Sequence, residues 1–94
     1  MLMIVSFKDR ALERLWMGET VKRLDALRKP VLRKLDMLHA AVALADLMAP
    51  PANRLEALRG DRKGQHSIRV NDQWRLCFVW TSQGPAEVEL VDYH

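Results

Sequence analysis

From Glu19 to Met48 apolar side chains recur at Leu24, Leu27, Val31, Leu35, Leu38, Val42 and Ala45, in steps of three and four. That spacing lays a single apolar stripe along a helix. Pro30 interrupts it: an interior proline removes a backbone donor and crowds the turn before it, whereas the first turn of a helix accepts one. The pattern predicts a main helix over 30–47, preceded by a shorter helix or turn over 20–28. Upstream, Leu2 to Ser6 reads as a short strand. Lys8 to Met17 reads as a short helix with Ala11, Leu12, Leu15 and Trp16 on one side, Ser6 or Asp9 as its cap and Gly18 as its stop.

After Pro50-Pro51 the period drops to two. Arg54 to Leu58 reads as a strand, and Gly60 and Gly64 bracket Asp61-Arg62-Lys63 in a tight basic turn. Ile68 and Val70 alternate with Ser67 and Arg69, and Leu76, Phe78 and Trp80 with Arg75, Cys77 and Val79, so two half-buried strands follow. Asn71-Asp72-Gln73 between them has turn chemistry. A shared core face requires paired numbers with an even sum, such as Val70 with Leu76, and hence an odd loop, Asp72 to Trp74. Arg69, Asn71, Arg75 and Cys77 then share the other face. Two guanidinium groups there form a candidate anion site, a solvated polar face being the plainer account. Thr81 to Pro85 reads as a turn and Glu87 to Val91 as the last strand. The sum is one α+β domain over 1–94: a mainly antiparallel sheet with two or three N-terminal helices packed on one face.

Composition narrows the function without choosing it. Fifteen Lys and Arg against twelve Asp and Glu give +3 and a pI near 9.4, which suits a polyanionic partner. Arg54, Arg59, Arg62, Lys63, Arg69 and Arg75 cluster in the C-terminal half, and Lys22, Arg23, Arg28, Lys29, Arg33 and Lys34 form a second group. Arg33 and Lys34, on the polar side of the main helix, are candidates to touch RNA. The longest apolar runs are too short for a bilayer, the start lacks the pattern of a secretory signal, and Asp25, Asp36 and Asp46 exclude a membrane-surface helix. The single cysteine, Cys77, excludes an internal disulfide and fits packing in a reducing cytoplasm.

The same residues exclude several chemistries. His39, His66 and His94 are far apart, Cys77 has no companion, and no His-Glu-x-x-His spacing or Gly-rich phosphate loop occurs, so no metal or cofactor is expected. Ser67 lies in a strand without an elbow motif. What remains is chemistry that needs only acids, bases and cations. Cleavage of RNA by its own 2′-hydroxyl is of that kind.

The glycines around the basic turn, the Ser-Ile-Arg-Val strand, the Asn-Asp-Gln-Trp-Arg corner and the Asp92-Tyr93-His94 ending resemble the HigB-type toxins of the RelE superfamily, also called plasmid maintenance killer proteins. The likeness spans the chain in length and element order and is most specific over the last forty or so residues. It implies a RelE-like fold with Met3 as the native start. It also implies a toxin of a type II toxin–antitoxin system that cuts messenger RNA on the translating ribosome. A HigA-type antitoxin with a helix-turn-helix DNA-binding domain would inhibit it. By the same resemblance the active-site positions fall on Glu56, Arg59, Gln73, Arg75, Asp92, Tyr93 and His94. Arg59 would hold phosphate, with Arg62, Lys63 and Arg69 as further basic contacts. Arg75 would stabilise the phosphorane with its planar fork. His94, with an ordinary pKa of about 6.5, would be the acid or base. Tyr93 would stack on a base or bond phosphate, and Asp92 would orient His94 or accept a hydrogen bond from a base. Glu56 departs from relatives that carry histidine there. A non-catalytic basic module that binds nucleic acid or protein would need the arginines but not His94.

Overall fold

The computed structural model describes residues 3–93; Leu2, assigned by its pattern to the first strand, and His94 lie outside them. Helix α1 spans Arg10–Trp16 and is capped by Asp9, whose Oδ1 accepts from the Leu12 amide at 3.1 Å. Gly18 ends it at φ +95°: its amide donates to Leu15 O (3.1 Å) and that of Glu19 to Arg14 O (3.0 Å), closing the last carbonyls. Helix α2 spans Arg28–Ala40. Pro30 is its third residue, where an amide would have had no partner within the helix.

The main helix is shorter at its end than its stripe suggests. Ala41 turns extended at ψ 133°, and Leu44–Leu47 forms a separate 3-10 turn. Asp46 explains the break. Its Oδ2 accepts from the amides of Val42 (2.9 Å) and Ala43 (3.0 Å), offering the backbone a local alternative to the helix. These bonds also hold the Asp46 carboxyl below its ordinary value. The segments Lys22–Leu27 and Pro51–Asn53 are 3-10 turns as well.

Four antiparallel strands form the sheet in chain order: β1 (Glu56–Ala57), β2 (His66–Arg69), β3 (Trp74–Thr81) and β4 (Gly84–Asp92). The expected strand over 54–58 is reduced to two residues because Arg54 is left-handed, at φ 45° and ψ 56°. Met3 to Ser6 is no ladder strand. It lies parallel to β4 through one bridge, Phe7 with Val88, and through bonds such as Val5 N to Pro85 O at 2.8 Å. Gly84 allows that approach: a Cβ there would stand 2.3 Å from Met3 O, at φ +123°.

The β2–β3 hairpin keeps the expected parity but not the expected pairs. Ile68 faces Leu76 and Arg69 faces Arg75, two residues away from the Val70–Leu76 alignment. The Val70 amide donates instead to Trp74 O at 2.9 Å, so the three-residue loop is Asn71 to Gln73. Asn71 sets this centre, since its Oδ1 accepts from the amides of Gln73 (2.9 Å) and Trp74 (2.8 Å). The last turn is likewise shorter than expected, with Thr81 paired to Gly84.

Helices and sheet enclose one apolar cluster. Leu12, Leu15, Val31, Leu35 and Leu38 meet Ile68, Leu76, Phe78 and Val88 across it, all at most 1% exposed. His39 is structural: its Nδ1 accepts from the Ile4 amide at 3.4 Å and its ring lies 5.2 Å from that of Trp16. No helix among the described residues is long and apolar enough to cross a membrane.

Candidate functional site

The sheet face turned away from the helices carries the polar residues. Register places Glu56, Ser67, Cys77 and Glu89 in one row across β1 to β4, with Arg69, Arg75 and Val91 in the next. This face is far from fully solvated. Ser67 and Cys77 are completely buried, and Arg75 is only 9% exposed. Burial also pushes the Cys77 thiol above its ordinary value, so it is a packing group rather than a nucleophile.

Arg75 is the hub. Its Nε donates to Ser67 Oγ at 2.7 Å, and its Nη2 to Arg54 O at 2.6 Å and to Ser67 O at 3.3 Å. Its guanidinium carbon lies 5.4 Å from the centre of the Tyr93 ring, in cation–π range. Tyr93 Oη in turn donates to Glu56 Oε1 at 3.1 Å. Partial burial first, and the Glu56 carboxylate second, hold the Tyr93 phenol above its ordinary value, so it stays a donor near neutrality. Glu56, Arg59 and Tyr93, with Ala57 and Leu58, line a cleft of about 360 Å³.

Next to this group, the hairpin loop is stitched to the end of β4. The Tyr93 amide donates to Gln73 O at 2.7 Å and Gln73 Nε2 to Asp92 Oδ2 at 3.0 Å. Gln73 and Asp92, nineteen positions apart in the chain, thus stand side by side. Arg62 Nη1 bonds Glu89 Oε1 at 2.8 Å, which raises its already high pKa, and Lys8 Nζ reaches the same carboxylate at 3.7 Å. Arg69 is bonded to Asp72, whose carboxyl it lowers, on the strand position directly opposite Arg75.

The structure therefore brings Glu56, Arg59, Arg75 and Tyr93 together, with Gln73 and Asp92 adjoining them. Lys63 is exposed in its turn and Arg33 on α2, and neither enters these contacts. Lys34 needs a correction, because it is not on the polar side of its helix. It lies three residues from Val31 and four from Leu38, on the buried stripe, with Nζ 2.6 Å from Asn53 Oδ1. Burial, then the charges of Arg33 and Arg69, lower its pKa. Three participants were missed from sequence: Ser67, the Arg54 carbonyl and Glu89. The alternation puts Ser67 and Arg75 on one face and so carries a signal for the first. A left-handed arginine turn leaves none.

Comparison with known proteins yields consistent relatives. A family model described as a RelE-like toxin of the type II toxin–antitoxin system HigB matches residues 5–94. Toxin HigB-1 of Vibrio cholerae serotype O1 is 45% identical over 94 residues, spanning 98% of this chain and 98% of the relative. An uncharacterised protein of Haemophilus influenzae is 42% identical over 76 residues, 79% of this chain and 75% of its own length.

Proposed function

Because the chain belongs to the HigB-like family of RelE-like toxins from type II toxin–antitoxin systems, we propose that it arrests growth by cutting messenger RNA on the translating ribosome. Membership already implies an antitoxin as a partner. A HigA-type protein is the antitoxin we propose, with the ribosome and its message as target.

The observation that carries this reading is the contact chain from Glu56 through Tyr93 to Arg75 beside the Arg59 cleft. In-line cleavage needs three things: removal of the 2′-hydroxyl proton, charge stabilisation on the phosphorane, and a proton for the departing 5′-oxygen. The 2′-oxygen bonds to phosphorus as the bond to the 5′-oxygen breaks, leaving a 2′,3′-cyclic phosphate upstream and a 5′-hydroxyl downstream. Arg75 supplies the positive charge, with Nη1 unpartnered among the described residues. Arg59, Arg62, Lys63, Arg69 and Arg33 hold the RNA backbone in this scheme. Proton transfer falls to Glu56 and His94, while Asp92, Tyr93 and Gln73 orient them and the base.

The test is to map message ends after incubating the protein with translating ribosomes, alongside Arg75→Ala. New 5′-hydroxyl ends with wild type and their loss with the variant are expected. Growth arrest without new ends would favour a binding module that stalls translation without cleavage.

A further inference from the structure

Arginine is a long, flexible side chain, and a stabiliser of transition-state charge works only if it is already aimed. In this protein the aiming can be read from both ends of the guanidinium. Ser67 is fully buried, and its hydroxyl is taken by Arg75 Nε at 2.7 Å, eight residues away in sequence. Arg54 O takes Nη2 at 2.6 Å from twenty-one residues away. That carbonyl belongs to a residue at φ 45° and ψ 56°, a conformation that non-glycine residues seldom adopt and that must be held by its surroundings.

The holding groups are present. The Arg54 amide donates to Pro51 O at 3.2 Å. The preceding Asn53 is completely buried, giving Nδ2 to Leu47 O (3.2 Å) and receiving Lys34 Nζ (2.6 Å). A strand serine and a pinned turn thus fix Nε and Nη2, which leaves Nη1 to meet a ligand.

We propose that Ser67 is a positioning residue for Arg75, acting with the Arg54 carbonyl to hold the guanidinium ready for phosphate. The inference rests on the reaction role proposed above for Arg75. Ser67 itself is too buried to touch RNA, so its removal should act on the rate and not on message binding.

Single-turnover cleavage on programmed ribosomes tests this with wild type, Ser67→Ala, Ser67→Thr, Arg75→Ala and the Ser67→Ala/Arg75→Ala double variant. A misaimed group commonly costs a substantial rate factor, so Ser67→Ala should lower the maximal rate about ten-fold, with half-saturation within about two-fold of wild type. Ser67→Thr keeps the hydroxyl and should recover most of the rate. In the Arg75→Ala background, Ser67→Ala should change nothing further, because it acts through the missing group. Should Ser67→Ala fail to fold, Ser67→Cys takes its place, since it keeps the size and loses the strong acceptor. A wild-type rate in the serine variant, or the same loss in both backgrounds, overturns the positioning role. Wild-type cleavage by Arg75→Ala would instead refute the reaction role itself, and the inference with it.

Discussion

Replacing Lys34 with methionine separates a structural lysine from an RNA-binding one. Lys34 is 7% exposed, and its ammonium is bonded to a completely buried Asn53. Methionine fills similar space but leaves Asn53 Oδ1 without its donor. A hydrogen bond to a charged group is worth about 1.5–3 kcal/mol net, and an orphaned buried acceptor costs about 1–3 kcal/mol. Sparing the ammonium its burial offsets part of this, because a buried charge is itself expensive. A net loss of about 2 kcal/mol lowers the melting temperature by roughly 8–16 °C in a domain of this size.

The pH dependence has a definite sign. The folded lysine has a pKa below its ordinary 10.5, so between that lowered value and 10.5 the unfolded chain binds more protons. Stability therefore rises with pH across that window in wild type, and this contribution is missing from the variant. Thermal melts at neutral and alkaline pH should show the gap between the two proteins widening as pH rises. Paired salt titrations of ribosome association complete the assay. An unchanged melting temperature with a salt slope flattened by about one unit would mean that Lys34 contacts phosphate and that the buried placement is wrong.

Arg75→Ala should lower single-turnover cleavage by about 10²–10³ while ribosome association stays near wild type, since the lost donor acts on developing charge. Tyr93 is the sole tyrosine, so its phenolate absorbance is unobscured by other phenols. Glu56→Gln should move its titration midpoint down toward 10.0, and an unmoved midpoint would deny the Tyr93–Glu56 bond. Arg33→Glu should reduce the salt slope of ribosome binding by about one or more with no change in melting. Gly84→Ala should cost roughly 1–3 kcal/mol in urea melts through strain at positive φ and collision with the Met3 carbonyl; a neutral effect would contradict the docking of the N-terminal segment.

What the sequence made legible follows from periodicity. The stripe gives Val31, Leu35 and Leu38 to the core, and the alternation gives Ile68, Val70, Leu76 and Phe78 to one sheet face. The shared apolar face fixes the parity of the hairpin, because a one-residue slip would turn its apolar set to water. A two-residue slip carries no such cost, so the register waited on the side-chain bonds of Asn71. Lys34 was misplaced for a related reason: a lysine on a stripe reads as polar unless its distant partner, Asn53, is known. At the candidate site, Glu56, Gln73 and Tyr93 meet through the packing of chain segments far apart in sequence. Only the family resemblance grouped them beforehand.

The pairing of Arg69 directly opposite Arg75 bears on how the protein would respond to its ligand. Like charges facing each other across strands weaken a sheet, and here each is eased separately, Arg69 by Asp72 and Arg75 by Ser67 and Arg54. A phosphate lodged between the two guanidinium groups would turn their repulsion into shared attraction. Binding of such an anion and stability of the fold are then thermodynamically linked. Polyanions that span this row should raise the melting temperature in proportion to the logarithm of their concentration, and a sheet designed for stability alone would have placed a different residue at one of the two positions.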